Sequence, residues 1–180
     1  MQKTRAIALA VAAISILIGL IVRFYHTNPT KSLYEDRGEP MVGDVGSEHN
    51  HMSILVFVEG IPVDFSLEQY QNKDPRVHFE DDNGTFIHKH ATGVTLNYFF
   101  NTLGIRLTNS CIALDSTREY CENSEGKLRT YLNRKVFTDW ARYVLREGDK
   151  ILIDYSSSTE FEITLRLNAV PELMPDMSRD

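Results

Sequence analysis

The sequence predicts an α+β fold in which a mostly antiparallel or mixed β-sheet carries one short helix. Short apolar segments rich in β-branched and aromatic residues recur from Ser53 to Tyr155, and turns with Gly, Asn or Asp separate them. One segment, residues 96–103, has its apolar residues at helical spacing instead. Because strands do not alternate with helices, the pattern excludes a doubly wound parallel sheet and favours α+β.

The individual elements follow from local patterns. The first strands are expected at residues 53–59, 61–65, 77–80 and 85–90. Pro62 confines the second of these to a sheet edge or a bulge. Thr95 is expected to N-cap the helix, and Gly104 follows the last apolar residue of the helix, where glycine commonly ends one. Later strands are expected at residues 111–114, 119–121, 128–132 and 150–155. Thr138 is expected to cap a short helical turn around Trp140.

Residues 6–22 form an apolar segment of 17 residues without a charge. This is the lower end of the roughly 17–25 residues with which a helix crosses a bilayer. The four residues that follow, RFYH, lack the small-residue pattern of a signal-peptide cleavage site, so we expect an uncleaved anchor over residues 1–23 that contacts the lipid bilayer. Lys3 and Arg5 precede the segment and favour a cytoplasmic N-terminus, which places the rest of the chain outside the cell membrane.

The remainder of the chain divides into three parts. Residues 24–50 combine prolines, glycines and scattered charges without an apolar period, which is typical of a flexible tether. Residues 51–170 are expected to form the extracytoplasmic β-rich domain, and their 120 residues are enough to enclose a hydrophobic core. Residues 171–180 are expected to be a disordered tail.

The charge of the chain excludes a broad nucleic-acid surface. The 180 residues have a formal net charge of −6. The first 23 residues hold three bases and no acid, so the remainder has 16 bases against 25 acids and a net charge of −9. A nucleic-acid partner would need clustered positive charge. The two cysteines are also too few for a disulfide-stapled miniprotein or a four-thiolate zinc site.

Five of the six histidines lie within residues 49–90, and the hairpin VHFEDDNGTFIHKH holds three of them. Two registers compete for this hairpin. A two-residue Asn-Gly turn pairs Phe79 with His88 and mixes apolar side chains with imidazoles on each face. A three-residue loop with Gly84 in the left-handed conformation pairs His78 with His88 instead. The second register separates apolar from polar side chains, and we favour it because burial mainly determines register.

In this register one polar face carries four candidate metal ligands: His78, Glu80, His88 and His90. Cross-strand pairing brings imidazoles to about 5 Å between Cβ atoms, so they can share one ion. The H-x-H pair His49 and His51 precedes the first strand and could complete the coordination. Ligation rich in nitrogen with some carboxylate suits Cu(II), Zn or Ni and does not suit Ca or Mg. The alternative is a set of surface histidines with no ligand role.

Cys111 and Cys121 bracket the segment CIALDSTREYC. If residues 115–117 form a hairpin loop, the two cysteines lie opposite each other within reach of a disulfide. Outside the membrane, such a pair is expected to be oxidised. The alternative is a redox dithiol, but the spacing is not C-x-x-C, and the sequence offers no adjacent base or helix N-terminus that would lower a thiol pKa. A structural disulfide is therefore the favoured interpretation.

Asn83-Gly84-Thr85 is a glycosylation sequon on the side of the membrane where glycosylation occurs. The turn by itself also accounts for all three residues. The sequence contains no Ser/His/Asp order, phosphate-binding loop or paired-carboxylate motif, so no catalytic residue is predicted.

Five features of the sequence together carry a resemblance: the apolar anchor, the H-x-H pair, the segment IHKHATGVTLNYFF, the cysteine pair and the segment EGDKILIDY. With these features the chain resembles the membrane-anchored, histidine-rich extracytoplasmic proteins of ammonia-oxidising archaea. The resemblance covers roughly residues 49–155. Relatives often carry a histidine at the position of Glu80, so a carboxylate replaces one candidate ligand here. Chains of this group are sometimes labelled protein-disulfide isomerase. The resemblance implies copper, although the residues permit zinc equally. The terminal strand and the helix after a hairpin are also similar to β-grasp domains.

We therefore expect a single-pass membrane protein that displays a non-catalytic domain outside the cell and binds copper or zinc through its histidines. A second hypothesis is a thiol-disulfide oxidoreductase that uses Cys111 and Cys121. A third is a metal-free interaction module with a membrane-protein partner.

Overall fold

The computed structural model describes residues 41–173 of the chain. The predicted anchor, most of the predicted tether and residues 174–180 of the predicted tail lie outside this range. All described residues belong to one compact unit that begins at residue 40. Within them, no helix has both the length and the apolar character needed to cross a membrane.

The described residues contain ten strands, two α-helices and one 3₁₀ turn. The strands are β1 (Asn50–Val58), β2 (Ile61–Pro62), β3 (Val77–His78), β4 (Phe86–Lys89), β5 (Arg106–Leu107), β6 (Cys111–Ala113), β7 (Glu119–Cys121), β8 (Lys127–Leu132), β9 (Lys135–Val136) and β10 (Lys150–Ser156). The helices are α1 (Leu96–Thr102) and α2 (Glu160–Ala169), and the 3₁₀ turn is Glu68–Tyr70. The predicted α+β class is confirmed.

The strands form two sheets. The larger has seven strands in the order β3-β4-β1-β10-β8-β9, with β2 paired to β1, and the smaller has the order β5-β6-β7. The strands β1 and β10 run parallel at the centre of the larger sheet, and every other pairing between the ten named strands is antiparallel. Pro62 lies in the short strand β2, which pairs only with β1, as expected for a proline at an edge.

Side chains along β1 alternate between the two faces of the sheet, and each face packs in a different hydrophobic cluster. Met52, Ile54 and Val56 are at most 1% exposed and belong to the main core, together with the aromatic residues of α1. Leu55 and Phe57 point to the opposite face, where Ile163 of α2 packs in a second, smaller cluster. Side chains two residues apart on a strand share a face, so this strand is apolar on both faces over its middle part.

The helix α1 begins as the sequence predicts. Thr95 is its N-cap, and the Thr95 side chain accepts a hydrogen bond from the Tyr98 backbone N–H. Gly104 follows with φ +73°, the left-handed conformation that favours glycine after a helix.

The prediction of a single helix is wrong, because α2 also exists. Only Ile163 of this helix is buried, while Phe161 and Leu165 are exposed at 71% and 52%. The segment therefore lacks the apolar stripe by which amphipathic helices are found. A signal was nevertheless present: Thr159 and Glu162 form a capping box at the start of the helix.

Around Trp140 the structure has a single turn and no helix: the Tyr143 backbone N–H donates to the Trp140 carbonyl at 3.2 Å. The Phe137 backbone N–H donates to the Thr130 carbonyl at 2.8 Å, which continues the β8–β9 hairpin instead. Trp140 is 4% exposed and packs in the main core.

The turn between β3 and β4 differs from the predicted three-residue loop. Asp81 and Asp82, and not Gly84, have positive φ angles, 56° and 54°. Gly84 is needed for a different reason: a Cβ atom there would lie 2.4 Å from the Ser66 backbone nitrogen. The loop packs against the chain that follows β2, and this contact decides its shape. The predicted pairing of His78 with His88 is nevertheless confirmed.

Candidate metal centre

Three histidines form a row across three adjacent strands. His51 on β1 pairs with His88 on β4, and His88 pairs on its other side with His78 on β3. Directly paired residues project to the same face of a sheet. The ring centroids of His51 and His88 lie 4.7 Å apart, and those of His78 and His88 lie 6.3 Å apart. The row therefore follows from strand register alone.

His49 and His90 extend this row on the same face, because each lies two residues along its strand direction from His51 and His88. The His49 ring centroid is 4.8 Å from those of both His51 and His90. The His90 ring is also 5.1 Å from that of His78. All five histidines singled out from the sequence thus belong to one cluster, which we call the histidine cluster.

His49, His51 and His88 form a group that could hold a metal ion. Their candidate ligand nitrogens all lie within 4.8 Å of one another. His51 is buried, His88 is half-buried and His49 is exposed, so the group opens to solvent on one side. A small inward movement would place three nitrogens at the bond length of about 2.0–2.1 Å that zinc requires. From the sequence we expected His49 and His51 only to assist, whereas the geometry places them beside His88.

Glu80 lies between two imidazoles. One carboxylate oxygen, Oε2, is 3.1 Å from His78 Nε2, and the other, Oε1, is 3.0 Å from His88 Nδ1. Burial by itself raises the pKa of Glu80, but the charge of His88 and the hydrogen bond with His78 together lower it below the ordinary value. Glu80 is therefore a carboxylate, and it contacts two imidazoles of the histidine cluster while its side chain stays partly exposed.

Burial lowers the pKa of both His88 and His90. The neighbouring histidines lower it further, and Glu80 acts in the opposite direction. A lowered pKa favours the neutral imidazole at neutral pH. Because the neutral imidazole is the form that binds a metal, the environment of these two side chains favours ligation.

Two residues that support the cluster were not identified from the sequence. Lys89 lies between His88 and His90 but points to the other face, where it is fully buried. Its ammonium group donates to the Leu145 carbonyl at 2.7 Å and forms an ion pair with Glu48 at 2.6 Å. A lysine between two histidines suggests a solvated side chain, and the sequence carries no signal that would have revealed its burial.

The segment before β1, which the sequence assigns to the tether, contacts the cluster region from residue 43 onward. The Gly43 backbone N–H donates to the Thr92 carbonyl at 2.9 Å, and the Gly46 N–H donates to the His90 carbonyl at 2.6 Å. On the opposite side, the Glu147 carboxylate accepts from the His51 backbone N–H at 2.5 Å. These contacts hold the backbone on both sides of the histidine cluster.

Cys111 and Cys121 form a disulfide, as predicted. They are directly paired between β6 and β7, with Cα atoms 4.0 Å apart. Glu119 lies close to the two sulfur atoms. Because both sulfurs are bonded to each other, neither is a thiolate, and this second group has no sulfur ligand for a metal.

Asn83 stabilises the loop before β4. Its side-chain oxygen accepts from the backbone N–H groups of Thr85 and Phe86 at 2.7 and 3.1 Å. These bonds are those of an Asx turn, so the turn accounts for the asparagine. Glycosylation at Asn83 stays a prediction.

No family model, curated protein or solved structure matches this chain.

Proposed function

We propose that the histidine cluster binds a transition metal, copper or zinc, and that His49, His51 and His88 are its principal ligands. The observation that carries the proposal is the direct pairing of His51 with His88, with His49 beside them and all three candidate ligand nitrogens within 4.8 Å. Three imidazole nitrogens form a ligand set that copper and zinc prefer. Calcium and magnesium prefer oxygen and are disfavoured here.

The unfavourable free energy of bringing five imidazoles together also supports this function. His51 and His78 are at most 9% exposed, and three more imidazoles lie against them. Protonated imidazoles at these distances repel one another, and this repulsion disfavours states in which several of the histidines carry a proton. A bound cation turns the same arrangement into a favourable one.

We further propose that the anchor at residues 6–22 holds the domain on the outer side of the cell membrane and that the domain has a non-catalytic role. The Cys111–Cys121 disulfide supports this location, because disulfides persist in oxidising compartments. The parallel pairing of the first and last strands, with antiparallel strands on either side, supports the β-grasp-like architecture expected from the sequence.

Titration of the full-length protein in detergent, after its metals have been stripped with a chelator, tests the proposal. We expect calorimetry to show saturable binding of Zn(II) and of Cu(II). Loss of a direct ligand should cost more than the 10–100-fold typical of supporting residues, so His51→Ala and His88→Ala should each weaken the tightest phase by about 100-fold or more. Asp82→Asn removes an exposed carboxylate from the neighbouring loop and serves as the matched control.

Two results would contradict the proposal. One is the absence of saturable binding by either metal. The other is an unchanged affinity in the His51→Ala/His88→Ala double variant, provided that its circular dichroism spectrum matches that of the unsubstituted protein.

A further inference from the structure

Glu80 lies beside one of the three principal ligands without belonging to their group. Within the part of the chain that the structure describes, the candidate ligand nitrogens that lie within 4.8 Å of one another are those of His49, His51 and His88. The Glu80 carboxylate is not among these ligand atoms, yet it contacts His88 directly. The carboxylate is therefore placed to act on a ligand and not to be one.

The contact between Glu80 and His88 determines which imidazole nitrogen is available to a metal. Oε1 of Glu80 is 3.0 Å from Nδ1 of His88. A carboxylate oxygen only accepts hydrogen bonds, and an imidazole nitrogen without a proton carries a lone pair of its own, so this contact is favourable only when Nδ1 holds the proton. In a neutral imidazole the other nitrogen, Nε2, then has the free lone pair, and a metal ion binds that nitrogen.

Two further contacts fix the position of Glu80. Its second carboxylate oxygen, Oε2, is 3.1 Å from His78 Nε2, and its backbone carbonyl accepts a hydrogen bond from the Asn83 N–H at 3.0 Å. His78 is 9% exposed and pairs directly with His88, so the carboxylate and the imidazole are held by the same two strands. A carboxylate fixed in this way limits rotation of the His88 ring.

We infer that Glu80 is a positioning residue of the metal site, which keeps the proton of His88 on Nδ1 and leaves Nε2 for the ion. The inference rests on the proposed function, in which His88 is a principal ligand. Metal-binding histidines almost always donate their second N–H to a carboxylate, a carbonyl or water, and this partner fixes the tautomer and makes the ligating nitrogen more basic. The negative charge of Glu80 also offsets part of the charge of a divalent ion bound by three neutral imidazoles.

The tautomer of His88 tests the inference without any metal. In the metal-free full-length protein in detergent, nitrogen-15 NMR at mildly alkaline pH should show His88 protonated at Nδ1 and unprotonated at Nε2. In Glu80→Gln the side-chain amide can either accept or donate a hydrogen bond, so both tautomers of His88 should be populated. A purely structural role of Glu80 would leave the tautomer of His88 unchanged.

The affinity for Zn(II) tests the same role in the loaded site. Glu80→Gln should weaken Zn(II) binding by about 10–100-fold, the loss typical of a residue that supports a ligand. Glu80→Asp keeps the negative charge and should lie closer to the wild type. Asp82→Asn removes an exposed carboxylate from the same loop and, as the matched control, should change neither the affinity nor the tautomer.

The outcomes separate this inference from the proposed function. A proton on Nε2 of His88 in the wild-type protein, or wild-type Zn(II) affinity in Glu80→Gln, would overturn the role of Glu80 while the metal site stands. Absence of saturable Zn(II) binding by the wild-type protein would overturn the metal site and this inference with it. The NMR measurement on the wild-type protein needs no substitution, so the test does not depend on the folding of a variant.

Discussion

The Lys89 ammonium lies 2.6 Å from the Glu48 carboxylate, on the opposite side of β4 from the histidine cluster. Each partner is next in sequence to histidines of the cluster: Glu48 precedes His49, and Lys89 lies between His88 and His90. The ion pair therefore connects the segment before β1 to β4 at the position where His49 and His90 meet. We infer that it positions His49 for ligation.

Glu48→Gln should destabilise the protein and weaken the metal site. The variant replaces the carboxylate beside the buried Lys89 ammonium with a neutral amide, whose oxygen can still accept a hydrogen bond but carries no charge. Breaking a buried pair costs about 3–5 kcal/mol, and the partial exposure of Glu48 reduces this to roughly 2 kcal/mol. Looser positioning of His49 should reduce metal affinity about 10-fold. Urea unfolding and Zn(II) titration measure the two effects.

Glu125→Gln, which alters an exposed carboxylate in the loop before β8, is the matched control and should change the unfolding free energy by less than about 0.5 kcal/mol. Adding Lys89→Met to Glu48→Gln should restore part of the stability, because an apolar side chain no longer needs a buried partner. If the double variant is less stable than Glu48→Gln, the buried charge is not the cause of the loss.

Removal of metal should lower the melting temperature. A ligand present at 100 times its dissociation constant stabilises the native state by about 2.7 kcal/mol. For a domain of this size, that corresponds to a decrease of roughly 10 °C when a chelator is added. The same chelator should have no effect on His51→Ala/His88→Ala. An equal decrease in that variant would mean that the stabilising metal is bound elsewhere.

The disulfide should be structural and independent of the metal site. Its loop is short, and by the chain-entropy model the bond stabilises the protein by about 2–3 kcal/mol. Cys111→Ser/Cys121→Ser should lose this amount in denaturant unfolding and keep its metal affinity, because the bond lies in the smaller sheet and the cluster lies in the larger one. Reduction of insulin by the wild-type protein, abolished in this variant, would instead favour the thiol-disulfide oxidoreductase.

The free energy of unfolding should decrease at alkaline pH because of the titration of Tyr143. Burial and the hydrogen bond to Asp149, 2.9 Å from the Tyr143 hydroxyl, raise the pKa of Tyr143 to about 12. The ordinary pKa is 10.0, so between these values the folded protein retains a proton that the unfolded chain has released. The free energy of unfolding therefore decreases as the pH rises through this range.

Tyr143→Phe should show a shallower decrease in the free energy of unfolding between pH 10 and pH 12, because the variant has no phenol to titrate at this position. Urea unfolding at several pH values measures the slope. Equal slopes in the variant and the wild type would exclude Tyr143 as the source of the pH dependence.

Much of the fold and part of the candidate site could be predicted because their signals are local. The alternation of apolar and polar side chains around residues 77–90 predicts the pairing of His78 with His88, since only one register buries Val77 and Ile87 together. Cys111 and Cys121 are separated by a short segment, and this spacing predicts that they pair across a hairpin. The shape of the loop before β4 was predicted wrongly because Gly84 lies against the backbone of Ser66, which is distant in sequence.

By itself, the sequence determined the α+β class, the hairpin of His78 and His88 and the disulfide, because each depends on neighbours along the chain. Only the tertiary structure decided that β1 lies beside β4, and this long-range pairing places His51 and His49 next to His88 and His90. It also decided that Lys89 is buried and that Glu80 contacts two imidazoles. Pairing between distant strands depends on how the whole core packs, and no short segment encodes it.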